Sequence, residues 1–234
     1  MRTIHVVRHG QASARARDYD VLSPLGARQA RRLGEHVARS GARFDAVFSG
    51  PRRRQLDTAR HFVEAARAAG AALPDVIELP GADELPLGAI LTLWLPALVE
   101  ADPVARAVAE QRWDLHSDEQ IRDLLGRAMQ AWAGGEVAAP SLLSFDGFVA
   151  RVDETLALVR SHGPETLLVT SAGPMATALH LGGHAAAATP VATMRLAVEV
   201  PNGARSRLSH DGSRLHVDHA NQVDHLQADE CSLM

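Results

Sequence analysis

An arginine, a histidine and a glycine stand in a row at the end of the first apolar stretch of the chain. Residues 3–7 (TIHVV) are rich in β-branched side chains and predict a short buried strand. Ligands of open α/β sheets bind just beyond the carboxyl ends of strands, where Arg8 and His9 would lie. A guanidinium suits phosphoryl oxygens, and an imidazole can attack or move protons. Arg8-His9-Gly10 therefore indicates a phosphoryl site, although a strand end with solvated polar residues fits this tripeptide alone equally well.

A second strand end delivers a second basic cluster. The apolar run at 44–49 (FDAVFS) predicts a strand that ends at Gly50-Pro51, and Arg52, Arg53 and Arg54 then begin a helix. Cations at a helix N-terminus oppose the helix dipole, so an anion shared between them would explain their position. A short strand from residue 76 and a loop with Asp83 and Glu84 follow. These carboxylates could belong to the site, or they could simply be a pair of solvated acidic residues in a loop.

Strands and helices alternate along most of the chain. Further strands are predicted at 166–171, 194–200 and 215–217, and helices at 24–40, 52–69, 145–160 and 172–181. Ser23 and Pro24 are favourable at the start of the first helix and Gly41 at its end. This alternation predicts an α/β fold with a mostly parallel central sheet and helices on both faces.

The stretch at about 89–140 interrupts that alternation. It contains Trp94, Trp113 and Trp132 and has helical but no strand periodicity. We expect a helical cap insertion within a single domain that spans 1–234. The tryptophans are more typical of the core of such a cap than of a ligand site.

Composition narrows the class of protein. The net charge of −4 argues against nucleic-acid binding and attachment to membrane surfaces, and no apolar run reaches membrane-spanning length. All 24 basic residues are Arg, which excludes a catalytic lysine. A single cysteine, Cys231, and the absence of an apolar leader predict a cytoplasmic location. Histidine spacing fits no zinc signature, and we expect no metal site.

The chain resembles the histidine phosphatase superfamily, which includes the cofactor-dependent phosphoglycerate mutases, in motifs that occur in the family's order. These motifs are Arg8-His9-Gly10, residues 22–30 (LSPLGARQA), Ser49-Gly50-Pro51 with Arg54 and Thr58-Ala59, and Glu84 with Gly88. The resemblance implies a phosphoglycerate mutase-like three-layer sandwich that needs no cofactor. Its partner would be a small phosphoester or phosphate, and the oligomeric state stays open, with a dimer among the options.

The resemblance also assigns roles. It makes His9 the nucleophile, Arg8 and Arg54 the groups that hold phosphoryl oxygens, and Glu84 the acid that protonates the leaving oxygen and then activates water. Asp83 is the fallback acid, and Arg52 and Arg53 are expected in solvent. The expected substrate-binding residues are Gly10, Gln11, Ser171, Ala172 and Gly173.

One position departs from the family pattern. The family usually has a second histidine after the third strand, in a Ser-His-Gly context, where this chain has Ser171-Ala172-Gly173. Alanine supplies neither a hydrogen bond nor charge, and one lost donor can cost about 100-fold in rate. The Ser171 hydroxyl and the helix amides from Gly173 onward are conceivable replacements.

The resemblance thus favours a metal-independent phosphomonoester hydrolase that forms a phosphohistidine on His9. A non-catalytic phospho-ligand-binding protein is the first alternative. A phosphoglycerate mutase is the second, and it is disfavoured because Leu85-Pro86-Leu87 does not match the mutase motifs and the sole tyrosine, Tyr19, lies elsewhere.

Overall fold

The chain folds around one six-stranded sheet, seen in a computed structural model that describes residues 1–12 and 20–233. Tyr19 lies outside those residues. The strands are β1 (Arg2–Arg8), β2 (Ala46–Ser49), β3 (Val76–Glu78), β4 (Glu165–Thr170), β5 (Arg205–His210) and β6 (Leu215–Gln222).

Helices occupy most of the rest of the described chain. They are α1 (Pro24–Ser40), α2 (Arg53–Ala68), α3 (Leu87–Trp94), α4 (Pro103–Ala109), α5 (Asp118–Ala133), α6 (Phe145–Ser161), α7 (Ala172–Leu181) and α8 (Pro190–Glu199). The caps predicted for α1 are confirmed. The Ser23 hydroxyl accepts from the Gly26 amide at 3.0 Å, Pro24 is the first helical residue, and Gly41 adopts a left-handed conformation with φ of 69°.

The strand order is β3-β2-β4-β1-β5-β6. The first four of these strands are parallel to one another, and β5 and β6 add an antiparallel edge. The mostly parallel sheet is therefore confirmed. In the register of β1 with β4, Arg8 lies beside Thr170, so the carboxyl ends of both strands meet at one edge.

Alternate residues of the strands build two apolar layers, one on each face of the sheet. Val7 and Val47 pack with Phe62 of α2 on one face, together with residues of α1. Val6 and Phe48 point to the other face, where the cluster includes residues of α6, α7 and α8. This three-layer arrangement matches the predicted sandwich and leaves the strand ends open for a site.

The predicted strand at 194–200 is wrong, because residues 194–199 form the second half of α8. The Thr189 hydroxyl accepts from the Ala192 amide at 3.2 Å, and Pro190 begins the helix. Met194 and Ala197 are buried at a helical spacing. A short apolar run is compatible with the periodicity of a strand and with that of a helix, and the helix cap at Thr189 favours the helix. The strand itself begins at Arg205, and β6 continues beyond the predicted end at 217 to Gln222.

The stretch that interrupts the alternation is helical, as expected. It holds α3, α4 and α5 joined by short 3-10 turns. Trp132 is buried against the edges of Phe145 and Phe148, whereas Trp113 is 36% exposed. Trp132 thus belongs to the core, while the interpretation of these helices as a cap inside a single domain stays a prediction. Within the described chain, no helix has the length and apolar character needed to cross a membrane.

Candidate active site

Segments that carry the predicted site residues converge at the carboxyl edge of the parallel strands. The His9 amide donates to the Thr170 carbonyl at 2.9 Å, and the Gly50 amide donates to the Val169 carbonyl at 2.9 Å. The ends of β1, β2 and β4 are therefore held side by side. This edge is where a ligand of an open α/β sheet is expected.

His9 is buried and held by both ring nitrogens. Its Nδ1 lies 2.7 Å from the Gly10 carbonyl oxygen, which can only accept, so Nδ1 carries the proton in the neutral ring. Its Nε2 lies 3.1 Å from Nε of Arg54, which can only donate. Nε2 is therefore the atom with the available lone pair, as a nucleophile requires.

The surroundings of His9 favour this neutral form. Burial lowers the pKa of the His9 imidazole well below its usual range, and the positive charges of Arg54 and Arg8 lower it further. The Gly10 carbonyl acts in the opposite direction but does not prevail. His9 therefore keeps its lone pair at neutral pH.

Arg54 is buried beside His9, where the resemblance places it. Its Nη1 donates to Oδ1 of Asp20 at 2.8 Å, and the other Asp20 oxygen accepts from the Arg53 amide at 2.9 Å. Asp20 thus supplies the anion expected at the start of α2. Asp20 is not among the residues predicted from the sequence, because no spacing links it to residues more than thirty positions away. Its place beside the conspicuous arginine cluster is visible only in three dimensions.

Arg8 is buried next to His9, and backbone carbonyls hold its guanidinium. Its Nη1 donates to the Val200 carbonyl and, at 3.1 Å, to the Leu233 carbonyl near the C-terminus. Gln29 fastens the same terminal segment, since its Nε2 donates to the Glu230 carbonyl at 2.7 Å. The structure therefore places Arg8 at the site and anchors one edge of its guanidinium to backbone.

Gly10 and Gln11 line the junction between β1 and α1. A Cβ on Gly10 would lie 2.4 Å from the Gly26 carbonyl oxygen, so only glycine fits there. The Gly10 amide donates to the Thr58 hydroxyl at 3.1 Å. The Gln11 amide donates to Oε1 of Gln29 at 2.8 Å. These bonds fix the backbone that carries His9.

Glu84 is delivered to the start of α7. A Cβ on Gly173 would lie 2.4 Å from Glu84 Oε1, so the carboxylate packs directly against this glycine. Arg151 steadies the loop by donating to the Asp83 carbonyl at 2.7 Å. The Asp83 side chain, the fallback acid of the sequence prediction, accepts a hydrogen bond from Nε of Arg52 at 2.6 Å. Arg52 and Arg53 are exposed, as predicted.

The wall after β4 carries the departure from the family pattern. Ser171 is fully buried, and its hydroxyl accepts from Nε2 of Gln55 at 2.7 Å. Ala172 is the half-buried first residue of α7, and Gly173 follows it against Glu84. The structure thus places Ala172 beside the glycine that Glu84 contacts, with a methyl group where the resemblance expects an imidazole.

Solved structures with the same fold span almost the whole chain. A phosphoglycerate mutase from Bacillus anthracis is 15% identical with a TM-score of 0.62, covering 96% of this chain and 94% of its own. A phosphoserine phosphatase from Entamoeba histolytica, solved as a mutant with phosphoserine, is 17% identical with a TM-score of 0.61, covering 97% and 100%. A mycobacterial glucosyl-3-phosphoglycerate phosphatase is 21% identical with a TM-score of 0.59, covering 94% and 99%.

Sequence comparison gives the family directly. No curated protein matches the chain. The family model of the histidine phosphatase superfamily (branch 1), however, matches residues 4–135, more than half of the 234 residues. The matched range contains His9, Arg54 and Glu84, whose geometry is described above. The chain therefore belongs to branch 1 of the histidine phosphatase superfamily.

Proposed function

We propose that the protein is a metal-independent phosphomonoester hydrolase that works through a phosphohistidine on His9. The observation that carries the proposal is the state of His9, a buried neutral imidazole whose Nε2 lone pair faces the Nε–H of Arg54 at 3.1 Å. The donor that occupies the lone pair before substrate binds is thus one suited to a phosphoryl oxygen. Low-identity likeness to two phosphatases supports the reaction class.

The first half of the reaction transfers the phosphoryl group to the protein. His9 Nε2 attacks phosphorus, the bond from phosphorus to the ester oxygen breaks, and the Glu84 carboxyl gives its proton to that oxygen. Arg8 and Arg54 stabilise the charge on the remaining oxygens, which is the larger part of catalysis in phosphoryl transfer. The alcohol then leaves.

The second half regenerates the imidazole. Water attacks the phosphohistidine, its proton passes to the Glu84 carboxylate, and the nitrogen–phosphorus bond breaks. Inorganic phosphate leaves, and His9 returns to its neutral form. The small volume at Ala172 leaves one flank of the phosphoryl group without the donor usual in the family, so we expect slow turnover.

A specific observation favours a second candidate, a phospho-ligand-binding protein without turnover. Ser171, one conceivable replacement for the missing histidine, is fully buried and neutral, and Ala172 offers only its backbone amide, so neither brings a positive charge to the phosphoryl group. Such a protein would bind phosphate through Arg8, Arg54 and His9 and release the ligand unchanged.

Hydrolysis of an aryl phosphate in the presence of a chelator tests the proposal. We expect measurable turnover that His9→Ala lowers by at least about 10³-fold, together with an acid-labile phosphoryl group on the wild-type protein. His219→Ala, at an exposed histidine of β6, is the matched control and should retain activity. Turnover that survives His9→Ala would reject the mechanism, whereas phosphate binding without turnover would favour the second candidate.

A further inference from the structure

Asp20 is a second hydrogen-bonding partner of Arg54, in addition to His9. Asp20 Oδ1 lies 2.8 Å from Arg54 Nη1, and Arg54 Nε lies 3.1 Å from His9 Nε2. Two hydrogen bonds thus connect the Asp20 carboxylate to the Arg54 guanidinium and the guanidinium to the His9 imidazole. The guanidinium is planar, so a bond that fixes Nη1 also fixes the direction of Nε.

Asp20 is itself held in place. Its second oxygen accepts from the Arg53 amide at 2.9 Å, at the first residue of α2, where the helix dipole favours a negative charge. Asp20 comes from the segment before α1, so this bond ties two separate parts of the site. A carboxylate anchored by a backbone amide provides a fixed support for Arg54.

The same carboxylate opposes anion binding. A phosphoryl group would have to share the charge of Arg54 with Asp20, and charges a few ångströms apart in a partly buried site interact strongly. The side chain of Arg54 is 8% exposed and that of Asp20 is 33% exposed, so water weakens the interaction only in part. Asp20 therefore affects both the direction of Arg54 and its attraction for phosphate.

We propose that Asp20 is a positioning residue that directs Arg54 toward His9 and limits how tightly Arg54 binds the phosphoryl group. The inference rests on the proposed function for its second part. Weak binding of phosphate is useful in a hydrolase, because inorganic phosphate is the product that must leave. In the free protein Asp20 balances the charge of Arg54 while the Nε of Arg54 points at His9.

Two substitutions separate the effect of Asp20 on the orientation of Arg54 from the effect of its negative charge. Asp20→Asn keeps an oxygen that can accept from Nη1 but removes the negative charge, and Asp20→Ala removes both. We expect Asp20→Asn to lower the Kd of inorganic phosphate and the KM of an aryl phosphate by about three- to tenfold. Asp20→Ala should lower kcat by at least about tenfold, since Arg54 loses its direction.

The chain offers a close control at Asp102. This aspartate also caps a helix, through the Val104 and Ala105 amides, and pairs with Arg127 at 2.6 Å. Asp102→Asn and Asp102→Ala should match the Asp20 variants in loss of stability while leaving Kd, KM and kcat unchanged. If the Asp20 variants lose stability and change none of these constants, Asp20 is only a helix cap and the proposal is overturned.

The ring of His9 gives a readout that does not depend on turnover. The ¹⁵N signal of unprotonated Nε2, identified by its absence in His9→Ala, should move to higher frequency in Asp20→Ala as the bond from Arg54 is lost. An unchanged signal would reject the positioning role. A wild-type protein that binds no phosphate would reject the proposed function and the second part of the inference, while the ¹⁵N result would still decide the first.

Discussion

The Gln55 side-chain amide donates from Nε2 to the Ser171 hydroxyl at 2.7 Å, and both residues are fully buried. The same Gln55 nitrogen lies 3.4 Å from the Ala82 carbonyl oxygen, and Oε1 accepts from the Arg52 amide at 2.9 Å. One side chain therefore joins the start of α2, the loop that leads to Glu84, and the turn before Ala172. The relative position of these segments determines where the Glu84 carboxylate lies with respect to α7.

Replacing Gln55 by Leu should destabilise the protein and misplace the acid. The change leaves the buried Ser171 hydroxyl and the Arg52 amide without their partner, which costs about 2–3 kcal/mol in the free energy of unfolding. Urea unfolding measures this loss, and kcat for an aryl phosphate should fall with it. Gln130→Leu is the control, since among the described residues that amide donates to the Gly126 carbonyl within its own helix and joins no separate segments. Equal stability in the two variants would contradict the prediction.

Restoring a histidine at position 172 should accelerate hydrolysis. The fully buried Ser171 hydroxyl is neutral, so it does not replace the charge that a protonated imidazole would bring to the phosphoryl oxygens. An imidazole at the half-buried Ala172 would begin α7 beside Gly173 and Glu84. We expect Ala172→His to raise kcat/KM for an aryl phosphate by at least about tenfold.

A size-matched change separates chemistry from packing at this position. Ala172→Leu fills similar space without a donor and should give no gain. If Ala172→His is also without effect while the wild type turns over, another group already contacts that flank of the phosphoryl group.

Much of the site was predictable because the sequence carries it locally. Arg8 and His9 follow β1 directly, and a strand end in a parallel sheet has a known place. Arg54 differs from Arg52 and Arg53 only by helical phase, which turns it inward while its neighbours stay exposed. Local order and periodicity thus predicted the framework of the sheet and the place of Arg8 and His9 at its carboxyl edge.

The remaining features depend on contacts between distant segments, which a single sequence does not encode in its spacing. Asp20 and Arg54 meet because α1 and α2 pack on the same face of the sheet. The bond from Arg8 to the Leu233 carbonyl spans almost the whole chain. The error at α8 has a different cause, since Met194 and Ala197 belong to an apolar run short enough for a strand or a helix.

His225 should make folding sensitive to mild acid. Burial lowers its pKa to about 4, against 6.5 in the unfolded chain. Between these values the unfolded state binds more protons, so stability falls as pH decreases from 6.5 to 4 and changes little below that. The loss amounts to roughly 3 kcal/mol.

His225→Gln, which does not titrate, should flatten the dependence of the free energy of unfolding on pH in that window. His219→Gln, at an exposed histidine, should leave the dependence as it is in the wild type. Urea unfolding at several pH values measures both variants. An identical pH dependence in wild type and His225→Gln would show that another group is responsible.

Removing the charge of Arg54 should move the acidic limb of the activity profile to higher pH. Protonation of His9 Nε2 abolishes its lone pair, so kcat/KM falls as pH decreases through the His9 pKa, which burial and Arg54 hold below 6.5. Arg54→Gln removes the positive charge that lowers the His9 pKa more than Arg8 does, and so raises that pKa. Arg53→Gln, at the exposed neighbour, is the control. Rates measured from about pH 4 to 8 test the shift, and coincident limbs in both variants would mean that His9 does not govern activity in acid.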